Sequence, residues 1–355
     1  MTKIITFIFL IALAGPAYSQ MKEIDSPVEN FEKLWQKFNL RYANFNLKKV
    51  DWDEIYKKYR PLVDDETVNE ELFNICCLML QELNDGHVTI TPNFTEEAIE
   101  CGPPYEFNLT KEFETADEFE QFESILRQEL VQNGFSKPIA CKVTEETNFQ
   151  YSISDSFGYL RLDEMTEENT FGRFNRALNE ALSAFQNKQG IIIDLRFNGG
   201  GWDYIAYKLA GRLISGDQEV GHYERTRIKG TDQYTDKKYR KIKPKGKFQF
   251  AQSIVVLTSD YTASASEVFL LLMKDLPYVT IVGDHSEGIF SDVYEFKLPN
   301  KWEIGLSHQQ FFSMDSTNYE GEGILPDIQV VNIKTDIKNK RDPVIRAAIG
   351  HLLEK

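Results

Sequence analysis

An α/β fold carrying a helical N-terminal module is the class this sequence predicts, on three observations. Helix-capping signatures recur between Ser26 and Leu83, and from Phe157 onward apolar strand runs alternate with amphipathic helical stretches. The 355 residues are 42% apolar and 27% charged, with a mean hydropathy of -0.40, which leaves enough apolar material for a sizeable core. The same figures exclude a polytopic membrane protein, a disordered tail and a small disulfide scaffold. A net charge of -15 disfavours nucleic acid and anionic lipid as partners.

The elements follow in order. Residues 1–19 read as a signal peptide: Lys3 supplies a positive start, Ile4 to Ala14 an apolar run, and Gly15-Pro16 a break before Ala17-Tyr18-Ser19, with cleavage near Ser19-Gln20. The apolar run falls short of the roughly 20 residues that span a bilayer, so a retained N-terminal anchor is the lesser alternative. No cysteine follows the leader to take a lipid. The mature chain is expected to be periplasmic or secreted, with no integral membrane span after processing.

Residues 20–95 form the helical module. Ser26-Pro27-Val28-Glu29, Asp51-Trp52-Asp53-Glu54 and Thr67-Val68-Asn69-Glu70 each read as a capping box opening a helix, whose apolar faces carry Phe31, Leu34, Phe38 and Tyr42, then Ile55 and Tyr59, then Leu72, Ile75, Cys76 and Met79. Residues 96–150 are a less regular connecting segment with Pro103-Pro104 and one amphipathic helix through Phe119, Phe122, Leu126 and Leu130.

The α/β core spans 151–355. Strands are predicted over 158–165, 190–196, 253–258 and 278–283, with helices over 171–185, 202–214 and 264–276 between them, then a hairpin of 293–296 with 302–306 and a closing helix over 341–353. Residues 224–247 interrupt this pattern with a local net charge of +7 and read as a solvated excursion, with attraction of an anionic ligand as the functional alternative. Of the four cysteines, Cys76 and Cys77 read as small core residues, and an oxidising compartment would permit a Cys101–Cys141 bridge without the sequence establishing one.

Four segments carry residues suited to chemistry. Thr262-Ala263-Ser264-Ala265-Ser266-Glu267 stands between a buried strand and an apolar helix, where a serine hydroxyl projects past the sheet edge beside the amide of Ala265; a plain capping box accounts for the same residues. Asp194-Leu195-Arg196-Phe197-Asn198-Gly199-Gly200-Gly201 is a glycine turn that presents main-chain amides to an acyl oxyanion or simply turns the chain; it has neither P-loop nor dinucleotide spacing. His87, in Leu83-Asn84-Asp85-Gly86-His87, is a general base or a satisfied structural histidine. His222, His285, His308 and His351 show no metal-binding spacing. Glu320, in Tyr319-Glu320-Gly321-Glu322-Gly323-Ile324-Leu325-Pro326-Asp327, is an orienting carboxylate or part of a surface turn.

Taken in order, these segments resemble the C-terminal-processing, or tail-specific, serine peptidase family: an L-x-D-G-H segment, D-L-R-x-N-x-G-G, S-A-S-E and G-x-G-x-x-P-D. That resemblance implies a Clp-protease/crotonase-like core, a serine-type peptidase acting on peptides or unfolded proteins through an acyl-enzyme, and no metal or organic cofactor. It makes Ser264 the nucleophile and gives the oxyanion hole to Ala265 with Gly200 or Gly199. The family's Ser/Lys branch has a lysine where this chain has Ile289, whereas the tricorn-core-like Ser/His/Glu branch matches His87 and Glu320. Two departures stand out: Gly86 replaces the serine that precedes the histidine in tricorn-type cores, and 96–150 lacks a clear PDZ signature. Gly86 and the missing lysine at Ile289 sustain one alternative, a weak or inactive member that binds an apolar or peptide ligand, while the missing PDZ signature argues against processive, tail-selective cleavage. A surface interaction module using the helical region and the basic excursion is a third reading.

Overall fold

The computed structural model describes residues 26–93, 101–102, 106–112, 115–141, 143, 149–165 and 171–355, so the leader and Pro103-Pro104 lie outside the described residues. The chain opens with α1 (Pro27–Arg41), α2 (Phe45–Lys48), α3 (Trp52–Tyr59) and α4 (Asn69–Gln81), then β1 (Thr89–Thr91). Two of the three expected caps form: Ser26 Oγ accepts from Glu29 N at 3.1 Å, and Asp51 accepts from Asp53 N and Glu54 N at 3.1 Å each. The third does not. Val68 is the N-cap residue of α4 and gives it no side-chain bond, while the Thr67 hydroxyl accepts from Asp64 N at 2.9 Å and closes the preceding turn.

A disulfide joins Cys77 on α4 to Cys101, leaving Cys76 buried and free and Cys141 free. This corrects both the reading of Cys77 as an unpaired core residue and the suggested Cys101–Cys141 partnership. The physical reason is a long-range pairing: Cys101 bridges to Ile90 in β1, which brings it against α4.

The connecting segment contributes α5 (Asn108–Glu112), α6 (Ala116–Gln132), β2 (Ile139–Cys141) and β3 (Phe149–Ile153). The core proper adds β4 (Phe157–Leu162), α7 (Phe171–Ala184), β5 (Gly190–Asp194), α8 (Asp203–Ala210), β6 (Val220–Thr226), β7 (Lys238–Ile242), β8 (Ser253–Thr258), α9 (Ala265–Met273) and β9 (Val279–Gly283). It ends with β10 (Val293–Lys297), β11 (Glu303–Ser307), β12 (Gln309–Ser313), β13 (Ile328–Gln329), α10 (Lys334–Asn339) and α11 (Pro343–Glu354).

The main sheet has the order β13-β9-β8-β5-β4-β3-β2, parallel from β13 to β4 and antiparallel beyond. Its central strands are apolar on both faces, as parallel strands buried between helices must be. Ile191, Ile193, Ile254 and Val256 face α7, α8 and α9, while Ile192, Val255 and Leu257 face α6 and α11. The expected hairpin is present as β10 against β11, with β1 added on the far side of β11. Its Trp302, Ile304 and Leu306 complete the apolar interior of the N-terminal helices. The basic excursion is more ordered than expected: β6 and β7 pair and extend to β12, because Glu224 lies under Lys238 and Arg240.

Candidate active site

Between β8 and α9 the chain turns sharply, and Ser264 sits at the turn with φ 54° and ψ -120°. A non-glycine residue is strained there and needs its surroundings to hold it. Glu267 does so. Its side chain is fully buried and accepts four hydrogen bonds: from Ser264 N (3.1 Å) and Ile289 N (2.8 Å) on one oxygen, and from Gly288 N (2.7 Å) and Ser286 Oγ (2.6 Å) on the other. Burial pushes this carboxyl up to about 8, against the pull of its donors. Sequence reasoning saw only a cap in Glu267; in the fold it ties the serine turn to the loop that carries Ile289.

The glycine turn packs directly on this serine. A Cβ placed on Gly200, at φ +105°, would stand 2.6 Å from Ser264 Cβ, so only glycine allows the approach. The turn is anchored from below by Arg196, fully buried and paired with Asp194 at 2.7 Å and Asp342 at 2.9 Å. Asn198 then fixes its top, accepting from Gly200 N at 2.9 Å and donating to Leu162 O at 3.1 Å. The Gly200 amide is therefore engaged. Among the described residues, the amides of Gly199 and Ala265 make no hydrogen bond.

His87 and Glu320 reach the same neighbourhood from opposite ends of the chain. His87 follows α4, its amide donating to Asp85 Oδ1 at 3.0 Å, and its ring lies against the backbone of Ser291. Burial pushes the imidazole below its ordinary value, with Asp85 acting in the opposite sense. Glu320 is buried and accepts from Asn44 Nδ2 at 3.1 Å and from Phe290 N at 2.9 Å. Burial, then the nearby Asp85 charge, hold its carboxyl well above the usual carboxylate range. The 286–292 loop thus borders each candidate: Glu267 ties it to the Ser264 turn, Phe290 N donates to Glu320, and Ser291 lies beside the His87 ring, while neither His87 nor Glu320 lines the cleft onto which Ser264 opens. Among the described residues no hydrogen bond joins Ser264 to His87 or His87 to Glu320.

Among the described residues two atoms at this junction are buried without partners, His87 Nδ1 and Asn44 Oδ1. Asn44 and Asp85 are functional candidates that the sequence did not reveal. Asp85 accepts from Tyr42 Oη at 2.8 Å and Ser307 Oγ at 3.1 Å, which fastens the histidine segment to α1 and β11. The other histidines have structural bonds: His222 to Tyr207 Oη, His285 to Ser286 O, His308 to Asp292 O and His351 to Thr280 Oγ1.

Ser264 opens onto a cleft of about 660 Å³ whose walls carry Asp203, Glu224, Asp292 and Glu295 against one cation, Arg240. Burial and then the Asp292 charge push Asp203 up to about 7. The cleft is acidic and not fully compensated, which suits a cationic ligand group better than an anionic one.

Comparison with known proteins places these features in a family. The model described as peptidase family S41 matches residues 156–330, and that described as the tricorn protease C1 domain matches residues 26–81. A carboxy-terminal-processing protease of Bartonella bacilliformis is 27% identical over 203 residues, covering 56% of this chain and 45% of that protein. The tricorn protease of Thermoplasma acidophilum is 26% identical over 183 residues, covering 50% of this chain and 16% of that protein. The chain thus spans less than half the length of these curated relatives. Among solved structures, a candidate peptidase from Parabacteroides merdae superposes with a TM-score of 0.75 at 27% identity, covering 92% of this chain and 97% of that one.

Proposed function

The chain belongs to peptidase family S41, and from that premise we propose that it is an exported serine peptidase that cleaves peptides or unfolded chains with a Ser264, His87 and Glu320 constellation. One observation carries the reading: Ser264 is held in a strained turn at the head of α9, open to a cleft and beside the unengaged amide of Ala265. That is the arrangement a nucleophile and its oxyanion donors require.

In this reading Ser264 Oγ attacks the substrate carbonyl carbon while His87 takes the hydroxyl proton. The amides of Ala265 and Gly199 receive the oxyanion, because that of Gly200 is committed to Asn198. Collapse of the tetrahedral intermediate breaks the C–N bond, with the His87 proton passing to the leaving amine. Water, deprotonated by the same imidazole, then releases the acyl group. Glu320 acts on the histidine through Asn44: one amide group of Asn44 already donates to Glu320, and its buried, unpartnered Oδ1 complements a proton on the equally unpartnered His87 Nδ1. Asn44 thereby fills the role that Gly86 leaves open. Export is supported by the leader and by the Cys77–Cys101 disulfide, a bond that persists in oxidising compartments. No helix among the described residues is long and apolar enough to cross a membrane.

A fluorophosphonate probe tests the assignment, since it labels only an activated serine. Labelling of the parent protein and its loss in Ser264→Ala is the expected result. Equal labelling of both proteins overturns Ser264 as nucleophile. An unlabelled parent that still binds peptides is instead a binding protein built on a peptidase fold.

A further inference from the structure

From β7 onward the cations of the basic excursion divide into two groups. On and just beyond β7 they are neutralised: Lys238 and Arg240 pair with Glu224, and Lys241 and Lys243 with Glu219. Past Pro244 the pattern stops. Lys245 and Lys247 join Lys208 and Arg212, at and beyond the C-terminal end of α8, around a cavity of about 510 Å³. Among the described residues none of these four makes an ion pair, and no carboxylate lines the cavity. In a chain of net charge -15, four cations at one place without a carboxylate partner make a local positive field that attracts anions.

Arg212 makes this a built site. Only 9% of the residue is exposed, and burial alone pushes its guanidinium down from the ordinary value with no carboxylate to oppose the effect. A guanidinium has five N–H donors. Nε donates to Phe248 O at 2.9 Å and Nη1 to Asn179 Oδ1 at 2.7 Å, while Nη2 has no bond among the described residues. Those two bonds fix the plane of the fork and leave its outer edge unused. Gly246, at φ +91°, permits the approach: a Cβ there would stand 2.6 Å from Arg212 Nε. The exposed Lys245 and Lys247 flank it on the same loop.

We propose that Arg212, Lys208, Lys245 and Lys247 form a binding site for a polyvalent oxyanion of phosphate or sulfate type, separate from the Ser264 cleft. A planar fork held in place by neighbours matches a tetrahedral oxyanion through two parallel hydrogen bonds, and the three lysines add charge around it. The site does not depend on the peptidase reading, and its test needs no turnover.

The measurement is thermal unfolding of the full mature chain in inorganic phosphate, pyrophosphate or sulfate, with sodium chloride balancing ionic strength. Pyrophosphate is expected to give a saturable rise in Tm of about 2 °C or more. In Lys245→Ala/Lys247→Ala, two exposed side chains without ion pairs, the ligand-free Tm should be unchanged and the apparent Kd weakened about 10-fold or more. Separate phosphate and sulfate titrations decide which oxyanion is preferred. Equal oxyanion shifts in parent and double variant, or a parent shift no larger than that of chloride at equal ionic strength, overturn the proposal. Arg212→Met should abolish the shift as well, and the lysine pair decides the matter if that variant does not fold.

Discussion

The serine half of the candidate site and its histidine half are built to different standards. Around Ser264 the polar groups are tied down: Glu267 accepts four bonds, Asn198 bridges the glycine turn, and Arg196 is clamped between two aspartates. Around His87 the scaffold is equally firm, with Asp85 held by Tyr42 and Ser307, yet the ring nitrogen Nδ1 and Asn44 Oδ1 face no partner. The difference follows from where the parts come from. The serine half lies on adjacent parallel strands and their turns, so its geometry is fixed by the sheet. The histidine half joins α1, α4 and the late 286–292 and 318–323 loops, and its last bonds are left for a ligand or a small shift to complete.

Substitution at Ser264 should do the most damage. Ser264→Ala should lower turnover by about 10⁴-fold or more while leaving the fold intact, as peptide hydrolysis and circular dichroism would show. Retained hydrolysis would move the chemistry elsewhere. Next comes Glu267: Glu267→Gln turns an amide group toward N–H donors and should cost on the order of 3 kcal/mol of stability in urea unfolding. An unchanged midpoint would show that the serine half is not held by this carboxylate.

On the histidine side, Asn44→Ala should reduce kcat by about 100-fold with KM little altered, and the acid limb of the pH profile should move. A loss confined to KM would make Asn44 a binding residue rather than a positioning one. Because burial disfavours the imidazolium, the parent's His87 stays neutral, and so able to accept a proton, to a pH below its ordinary ~6.5. The acid limb of kcat/KM should therefore fall below that value; a limb above it would remove His87 as the base. The smallest effect concerns selectivity: Asp203→Asn should reduce the preference for Lys over Glu beside the scissile bond by roughly 5- to 10-fold, read from paired peptides. Equal cleavage of the two peptides by the parent would show that the acidic cleft does not select.

What could be read from the sequence was local. The alternation of β4, α7, β5, α8, β8, α9 and β9 was visible because buried parallel strands are short apolar runs and helices repeat with their own period. Ser264 and the Asp194–Gly201 turn were visible because each is a contiguous string at a strand end. Asn44 was not, since its partner Glu320 lies 276 residues away and nothing near Asn44 announces the contact. The disulfide escaped for the same reason: Cys101 pairs with Cys77 only once β1 brings it back to α4. The Thr67 cap failed because Asp64 competes for that hydroxyl. The excursion at 224–247 reads as solvated from its local excess of positive charge, whereas the ladder sets Glu224 beneath Lys238 and Arg240.

The link between Cys77 and Cys101 encloses the segment that bears His87 within a covalent ring. Before thiol oxidation, that ring is open and the imidazole hangs on a strand with one tether fewer. The Ser264 turn, held by Glu267 and the glycine turn, has no covalent tie of this kind. Forming that one bond would then tighten the histidine side of the candidate site and leave the serine side unchanged.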